Sequence, residues 1–424
     1  MTTMIQPGVS LTTISTQKYK TIRLLIRFTA KHSAQTASAR TLLTSLLETS
    51  SANYPTQTAF SKALADLYGA SFGINVARKG NTHQVNVSLN VVNGKYVEDE
   101  TIFPQVVAFL KEVLFAPHLS AGAFDAATFR LEQENLIAYL ESIEEDKQTW
   151  AALKLQELYF TDNPDQRMPS FGSIEGVTAC TAASLVETYQ QMLANDQVDI
   201  FVVGDVTEEQ VQAAFADWTF PVTEREQPEL FTEYQVTNLI REEVVQQPVT
   251  QAKLNIGYRL PIYYDDPKRM AVMAFNGLFG GFSHSKLFMN VREKASLAYY
   301  ASSSVDTFRG LLTVQTGIES ENRERVLQLV HEQLRALQTG AITDLELEQT
   351  KEMLKNQYLL SQDYAQTLIE QTYIDQWLPY TKKTEEAFIQ AVMAVTKEDV
   401  QQVANEVALQ AIFFLEGAVE HGEA

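Results

Sequence analysis

The chain has 424 residues, 45% of them hydrophobic, and its 53 acidic and 33 basic residues give a formal net charge of −20. This length exceeds a single ordinary domain of roughly 100–200 residues, so we expect two domains, and the apolar content excludes a disordered chain. The acidic excess argues against a nucleic-acid partner, because binding to a phosphate backbone depends on clustered Lys and Arg. We expect a solvated acidic surface; a surface that favours cationic peptides is the alternative.

The first half of the chain reads as alternating strands and helices. Apolar and polar side chains alternate over residues 22–28, which predicts a strand with one buried face. A helical stretch follows over residues 39–48. A second alternating strand is predicted over residues 85–91, and an amphipathic helix over residues 102–115.

A polar segment separates the two halves. Residues 221–231 carry two prolines and follow no period, so we assign a linker that continues to residue 248. Beyond it, residues 254–260 and 312–318 alternate as strands, and residues 268–279 form a helical stretch. The predicted domains are an N-terminal domain over 1–220, the linker over 221–248 and a C-terminal domain over 249–424.

The two halves end in the same way, which indicates an internal repeat. Thr181 begins a helix that leads into a strand ending near Gly204, and Thr396 begins a helix that leads into a strand ending near Gly417. The two threonines are 215 residues apart and the two glycines 213. We therefore predict an α+β fold of two duplicated domains, each a mainly antiparallel sheet covered on one face by helices.

The C-terminal half contains the segment GGFSHSKLFMNVREKASLAY, from Gly280 to Tyr299. It resembles the C-terminal signature of the insulinase, pitrilysin and mitochondrial processing peptidase family of zinc peptidases. The resemblance covers the whole chain, and residues 68–80 and 146–147 are similar to a bacterial subgroup that lacks the zinc motif. It implies that Arg292 contacts a substrate carbonyl or carboxyl terminus, and that the Tyr299 hydroxyl donates to the substrate oxygen that gains charge during hydrolysis.

The zinc motif of that family, H-x-x-E-H, is missing. No two of the histidines are close enough in sequence to share a helical turn; they are His32, His83, His118, His284, His331 and His421. The matching stretch is ARTLLTSLLE, where Thr41 and Ser45 take the ligand positions and Thr44 that of the general base. Neutral hydroxyls replace imidazoles poorly, and Thr cannot act as a carboxylate base. We expect no cofactor in this chain, and zinc in a partner subunit.

Other residues could suggest chemistry but have simpler interpretations. Glu134 and Glu141 match the spacing of the family's distal zinc ligand, yet without histidines we interpret them as exposed carboxylates on a helix. The glycine-rich segment over residues 277–281 lacks the lysine of a phosphate loop and should allow helices to approach closely or line a substrate. We interpret His284 as a surface or cap residue.

The cysteine content and the N-terminal sequence bear on the cellular compartment of the protein. Cys180 excludes an internal disulfide framework, as expected in a reducing compartment, and we interpret it as a small packed residue. Residues 1–16 lack the basic and apolar regions of a signal peptide, and no run of about 20 apolar residues occurs. We expect a cytoplasmic protein without a membrane anchor.

Three functions are compatible with these observations. The first is a non-zinc subunit of a heteromeric metallopeptidase, inactive alone, whose partner is a zinc-bearing chain of the same family; in isolation it could form homodimers. The second is a non-catalytic peptide-binding or scaffold protein of the same fold. The third, an independent hydrolase, has no Ser-His-Asp or Cys-His pattern to support it. As the alternative to the roles implied by the resemblance, Arg292 could simply pair with Glu293 or another acid at the end of its helix, and Tyr299 could be a packed tyrosine.

Overall fold

The computed structural model describes residues 1–232 and 239–417, which fall into two compact units. The first unit comprises Met1–Ser142, Pro164–Leu230 and Asp363–Tyr373, and the second comprises Ile143–Asn163, Phe231–Gln362 and Ile374–Ala424. Each unit thus includes one segment from the other half of the chain. Residues 233–238 of the predicted linker and the last seven residues of the predicted C-terminal domain lie outside the described ranges.

The elements are as follows in chain order. The strands are β1 (Thr2–Gln6), β2 (Val9–Ser15), β3 (Thr21–Lys31), β4 (Ser71–Lys79), β5 (Thr82–Val92), β6 (Leu119–Ser120), β7 (Ala123–Phe124), β8 (Gln197–Gly204), β9 (Arg241–Gln247), β10 (Ala252–Arg259), β11 (Ala298–Asp306), β12 (Leu311–Ile318) and β13 (Ala408–Gly417). The α-helices are α1 (Ala37–Thr49), α2 (Gln57–Asp66), α3 (Ile102–Phe115), α4 (Ala126–Ser142), α5 (Lys147–Tyr159), α6 (Pro164–Arg167), α7 (Ile174–Thr178), α8 (Ala182–Asn195), α9 (Glu208–Phe215), α10 (Arg269–Asn276), α11 (Arg323–Gln338), α12 (Asp344–Ser361), α13 (Ala365–Trp377), α14 (Glu385–Met393) and α15 (Lys397–Asn405). Short 3₁₀ turns and two π-helical segments, Gly277–Gly281 and Phe288–Lys294, complete the described structure.

The first unit is built on a six-stranded sheet in the order β1-β2-β8-β3-β5-β4. The pair β2 and β8 is parallel, and the other described pairs are antiparallel. Within residues 22–28 the apolar residues of β3 are at most 2% exposed, and Leu24 lies between Leu89 of β5 and Val202 of β8. The period-two pattern therefore predicted the strand and one buried face, but β3 extends beyond residues 22–28, and Leu25, Arg27 and Thr29 on its other face are buried too.

The other face of this sheet is polar, and part of it is covered rather than solvated. Arg27 is 2% exposed and forms an ion pair with Glu370 of α13, while its Nε donates to Asn86 Oδ1 at 2.8 Å. Gln84 donates to the hydroxyl of Tyr373 at 3.1 Å. The covering residues follow β3 by more than 300 positions, so local periodicity could not indicate them.

The second unit contains a five-stranded sheet in the order β11-β12-β10-β13-β9. One face carries the main core, formed with α10, α11, α12, α14 and α15. Helix α5 covers part of the other face through apolar side chains, including Leu155 and Tyr159 against Phe413 and Leu415. A Cβ at Gly257 would lie 2.8 Å from the Tyr159 ring, so this close approach requires glycine there.

The predicted linker is wrong over residues 241–247. These residues form β9, which pairs in parallel with β13 at the edge of the second sheet and places Val244 opposite Phe414. Its side chains are mostly exposed, as in an edge strand with charged residues. The segment has no apolar alternation because neither face is deeply buried, and it therefore resembled a loop.

The predicted fold class and helix starts are confirmed. Both sheets are mainly antiparallel and packed with helices. Thr181 and Thr396 each form a capping box, accepting from Ser184 N at 3.0 Å and from Asp399 N at 3.1 Å respectively. In the described ranges, no helix has the length and apolar character needed to cross a membrane.

Candidate functional site

The stretch that replaces the zinc motif lies on α1 in the first unit. Thr41 and Thr44 are 7% and 5% exposed. The Thr41 hydroxyl donates to the Ala37 carbonyl at 2.9 Å, and the Thr44 hydroxyl donates to the Thr41 carbonyl at 2.7 Å. Both hydroxyls are therefore engaged by their own helix, and Ser45 is half-buried beside them. These residue types and contacts do not fit a zinc ion.

The other candidate metal ligands do not converge. Glu134 and Glu141 are exposed on α4, as interpreted from the sequence. Over residues 1–232 and 239–417, no group of three or more His, Cys, Asp or Glu side chains is arranged to hold a metal ion. The Cys180 thiol lies 3.3 Å from the Gly176 carbonyl, and burial raises its pKa, so it behaves as a packed residue.

Two histidines that are far apart in the sequence, His32 and His83, are in contact in the structure. The rings of His32 and His83 stack at 5.7 Å, and both residues are fully buried. His83 Nε2 lies 2.8 Å from the Ser170 carbonyl, and Arg40 Nε donates to His83 Nδ1 at 3.0 Å. Burial, and then the Arg40 charge, hold the pKa of His83 well below its usual value. Both ring nitrogens of His83 have partners, so this pair is a packing feature. The histidines are 51 positions apart in the sequence, and no local pattern indicated that they meet.

The glycine-rich segment Gly277–Gly281 packs against β11 and α12 in the second unit. A Cβ at Gly280 would lie 2.5 Å from the backbone nitrogen of Ser303, and one at Gly277 would lie 2.8 Å from the methyl group of Thr350. His284 Nε2 lies 2.8 Å from the Thr350 hydroxyl, beside an open groove of about 640 Å³ along α12. The glycines thus permit close packing, as expected.

Arg292 lies on the π-helical segment Phe288–Lys294. Its guanidinium carbon is 4.6 Å from the centre of the Phe288 ring, and its Nε is 3.7 Å from Glu293 Oε1. The side chain remains 42% exposed. The pairing with Glu293 that we considered does occur, but an exposed pair of this geometry contributes at most about 1 kcal/mol. It would not prevent Arg292 from contacting another molecule.

Tyr299 lies in a β-bulge near the start of β11, at the edge of the second sheet. Ala298 pairs with Ile318, and Tyr300 pairs with Gly317, so Tyr299 is an extra residue without its own partner on β12. Its side chain is 58% exposed, which excludes a packed tyrosine. The hydroxyl donates to Glu319 Oε1 at 2.6 Å, and this hydrogen bond raises the pKa of Tyr299.

A short turn joins the two residues. Ser296 adopts a φ of 53°, and its backbone nitrogen donates to the Arg292 carbonyl at 3.1 Å. Leu297 N donates to the Val291 carbonyl at 3.2 Å, which closes the segment before β11 begins. The signature therefore places an exposed cation and an exposed phenol in sequence at one sheet edge, each beside its own carboxylate.

Known proteins resemble this chain over its full length. The Bacillus subtilis (strain 168) protein named probable inactive metalloprotease YmfF is 35% identical over 412 residues, which is 97% of this chain and 96% of that protein. The family described as peptidase M16 inactive domain matches residues 179–354. This chain belongs to the M16 peptidase family.

Two further proteins are similar to this chain. The Bacillus subtilis protein named uncharacterized zinc protease YmxG is 27% identical over 248 residues, 56% of this chain and 58% of that protein. The crystal structure of a conserved protein from Enterococcus faecalis V583 is 51% identical, covers 99% of each chain and superposes with a TM-score of 0.95. The family assignment from the Gly280–Tyr299 signature is thus confirmed, and the chain is an inactive-type M16 metalloprotease-like protein.

Proposed function

We propose that this chain is the non-zinc subunit of a heteromeric zinc metallopeptidase in the cytoplasm. In this proposal a zinc-bearing M16 partner supplies the metal and the general base. This chain supplies Arg292 to bind the substrate and Tyr299 to stabilise the oxygen that gains charge.

The observation that carries the proposal is the placement of Tyr299. A bulge at a sheet edge directs a side chain away from the regular ladder, and such bulges often lie next to active sites. A hydroxyl on an exposed ring can reach an oxygen of another molecule, whereas a packed ring cannot. Arg292, seven residues earlier and also exposed, adds a permanently charged fork suited to a carbonyl or carboxylate.

The replaced zinc motif in the first unit supports the proposal that a second chain provides the zinc site. Thr41 and Thr44 donate to carbonyls of their own helix, so α1 offers neither zinc ligands nor a general base at these positions. The proposal is supported by the names of two Bacillus subtilis relatives, probable inactive metalloprotease YmfF and uncharacterized zinc protease YmxG. A zinc-bearing chain of the same family is therefore the partner that we propose.

The test is reconstitution. The chain is mixed with the zinc-bearing M16 protein of the same organism, and cleavage of a fluorescence-quenched peptide mixture is measured. We expect cleavage only in the mixture. Tyr299→Phe should lower its turnover by about tenfold or more without affecting assembly.

Tyr380→Phe is the matched control, because Tyr380 is also exposed in the second unit and donates to a carboxylate, that of Asp265, at 3.1 Å. Its turnover should remain unchanged. Equal turnover of the Tyr299 variant and the unmodified chain would remove Tyr299 from the proposed mechanism.

A second function is a non-catalytic peptide-binding or scaffold protein. It is favoured by the contacts of the two signature side chains, since Arg292 lies beside Glu293 and Tyr299 is hydrogen-bonded to Glu319. This alternative, which allows a homodimer, predicts peptide binding to the chain but no hydrolysis in the mixture.

A further inference from the structure

The contact between Tyr299 and Glu319 conflicts with the role proposed for Tyr299. A phenol has one O–H group and therefore donates one strong hydrogen bond at a time. In this structure Glu319 Oε1 receives that bond at 2.6 Å. The hydroxyl cannot stabilise a substrate oxygen until the bond to Glu319 breaks. Contact with the carboxylate also raises the pKa of Tyr299, which makes the phenol a weaker acid.

The backbone around Glu319 is anchored. Its carbonyl accepts from Asn322 N at 3.0 Å within a 3₁₀ turn, and the neighbouring Ser320 hydroxyl accepts from Gly417 N at 3.0 Å. Glu319 also follows directly after Ile318, which is fully buried in the sheet. The backbone that carries the Glu319 carboxylate is thus held in place by these hydrogen bonds.

Fewer contacts hold the side chain of Tyr299 than hold the backbone at Glu319. It is the extra residue of the bulge, it has no position of its own in the ladder with β12, and more than half of its side chain is exposed. A change of side-chain rotamer would separate the hydroxyl from Glu319 without moving a strand. The hydrogen bond is exposed to water, so its net strength is small and its opening reversible.

We propose that Glu319 is an autoinhibitory residue, which holds Tyr299 in a closed position until substrate or the partner subunit displaces it. This inference rests on the proposed function. A ligand can shift such an equilibrium only by binding the open position more tightly. A peptide carbonyl oxygen bonded to the freed hydroxyl provides that difference in affinity.

The inference predicts a gain of activity, which loss of a merely structural contact would not give. In the reconstituted mixture, Glu319→Gln replaces the charged acceptor with a weaker neutral one of the same shape. We expect kcat/KM for the quenched peptide mixture to rise about three- to tenfold, and Glu319→Ala to give a rise at least as large. Glu321→Gln is the matched control, because Glu321 is an exposed acid in the same 3₁₀ turn. It should leave kcat/KM unchanged.

A second measurement uses this chain alone. Tyrosine labelled at the ring carbon that bears the hydroxyl allows Tyr299 to be titrated by NMR, with Tyr299→Phe to assign its signal. In Glu319→Gln its pKa should fall toward the ordinary value of 10.0. Glu321→Gln should not change it, and thermal unfolding of each variant verifies folding.

The outcomes separate the inference from the proposed function. Cleavage that is lowered by Tyr299→Phe and raised by Glu319→Gln supports both. Cleavage that is lowered by Tyr299→Phe but equal or lower with Glu319→Gln overturns the inference and leaves the proposed function intact. An unchanged titration of Tyr299 in Glu319→Gln likewise overturns the inference. Absence of cleavage in the mixture overturns the proposed function, and the inference with it.

Discussion

Replacement of Arg27 by Met removes the charged centre of the polar face of the first sheet. The guanidinium forms an ion pair with Glu370, donates to Asn86 at 2.8 Å and lies 4.4 Å from the centre of the Tyr373 ring. Methionine has a similar length but can make none of the polar contacts. In the variant, the carboxylate of Glu370 keeps its ion pair with Lys79, whose Nζ lies 3.4 Å from Glu370 Oε2.

We expect Arg27→Met to lower the free energy of unfolding by about 3 kcal/mol. Loss of one partner from a buried ion pair costs about 3–5 kcal/mol because the other charge stays desolvated. The Arg27 side chain is 3% exposed, but that of Glu370 is 32% exposed, so solvent and Lys79 compensate in part. The lower end of the range therefore applies.

The assay is urea denaturation followed by circular dichroism and by hydrogen exchange of residues 365–373. Arg325→Met is the control, because the Arg325–Glu332 pair is exposed and 3.9 Å apart, so its loss should cost less than about 1 kcal/mol. A loss below about 1 kcal/mol for Arg27→Met would refute the expectation that the buried ion pair between Arg27 and Glu370 stabilises the fold.

The same pair predicts a pH dependence. Burial alone would raise the pKa of Glu370, but Arg27 and Lys79 outweigh it and hold the pKa below its ordinary value of 4.5. A carboxyl with a lowered pKa stabilises the fold above the pKa of the unfolded chain, and this stabilisation is lost as pH falls through the folded pKa. The difference between native protein and Arg27→Met should therefore shrink as pH decreases below 4.5.

Two further substitutions test the packing. In the native protein, His83 with its lowered pKa makes the free energy of unfolding fall as pH decreases below about 6.5, because the unfolded state takes up the proton. His83→Gln should make the free energy of unfolding depend less on pH in this range, whereas replacement of the exposed His331 by Gln should not. An equal pH dependence in the native protein and in His83→Gln would contradict the role given to His83. Gly280→Ala should lower the free energy of unfolding by about 1–3 kcal/mol, because its Cβ would lie 2.5 Å from Ser303 N. Gly73→Ala, whose Cβ meets only a flexible carboxylate oxygen at 3.6 Å, should change it little in the same urea assay.

Local sequence patterns predicted the elements whose burial follows their own period. Residues 22–28 alternate because one face of β3 meets the core, and residues 102–115 show a helical period because one face of α3 is buried. Thr181 and Thr396 marked helix starts through hydrogen bonds that close within three residues. The signature around Arg292 and Tyr299 is likewise contiguous, so a resemblance could locate it.

Other features were not predicted because they have no local period or lie on distant segments. The strand β9 has both faces largely exposed and gave no apolar alternation. The Tyr299–Glu319 bond depends on a bulge, and neither the bulge nor the pairing of β11 with β12 can be read from the spacing of residues.

The sequence by itself determined the α+β class and the family, because these depend on residue types and on spacings of a few positions. Only the tertiary structure decided which segments cover the second face of each sheet. Arg27 is paired by a residue 343 positions away, and His83 stacks on a histidine 51 positions away. Such contacts join segments that are far apart in the sequence and adjacent in the fold, and a pattern of neighbouring residues does not indicate which distant segments become adjacent.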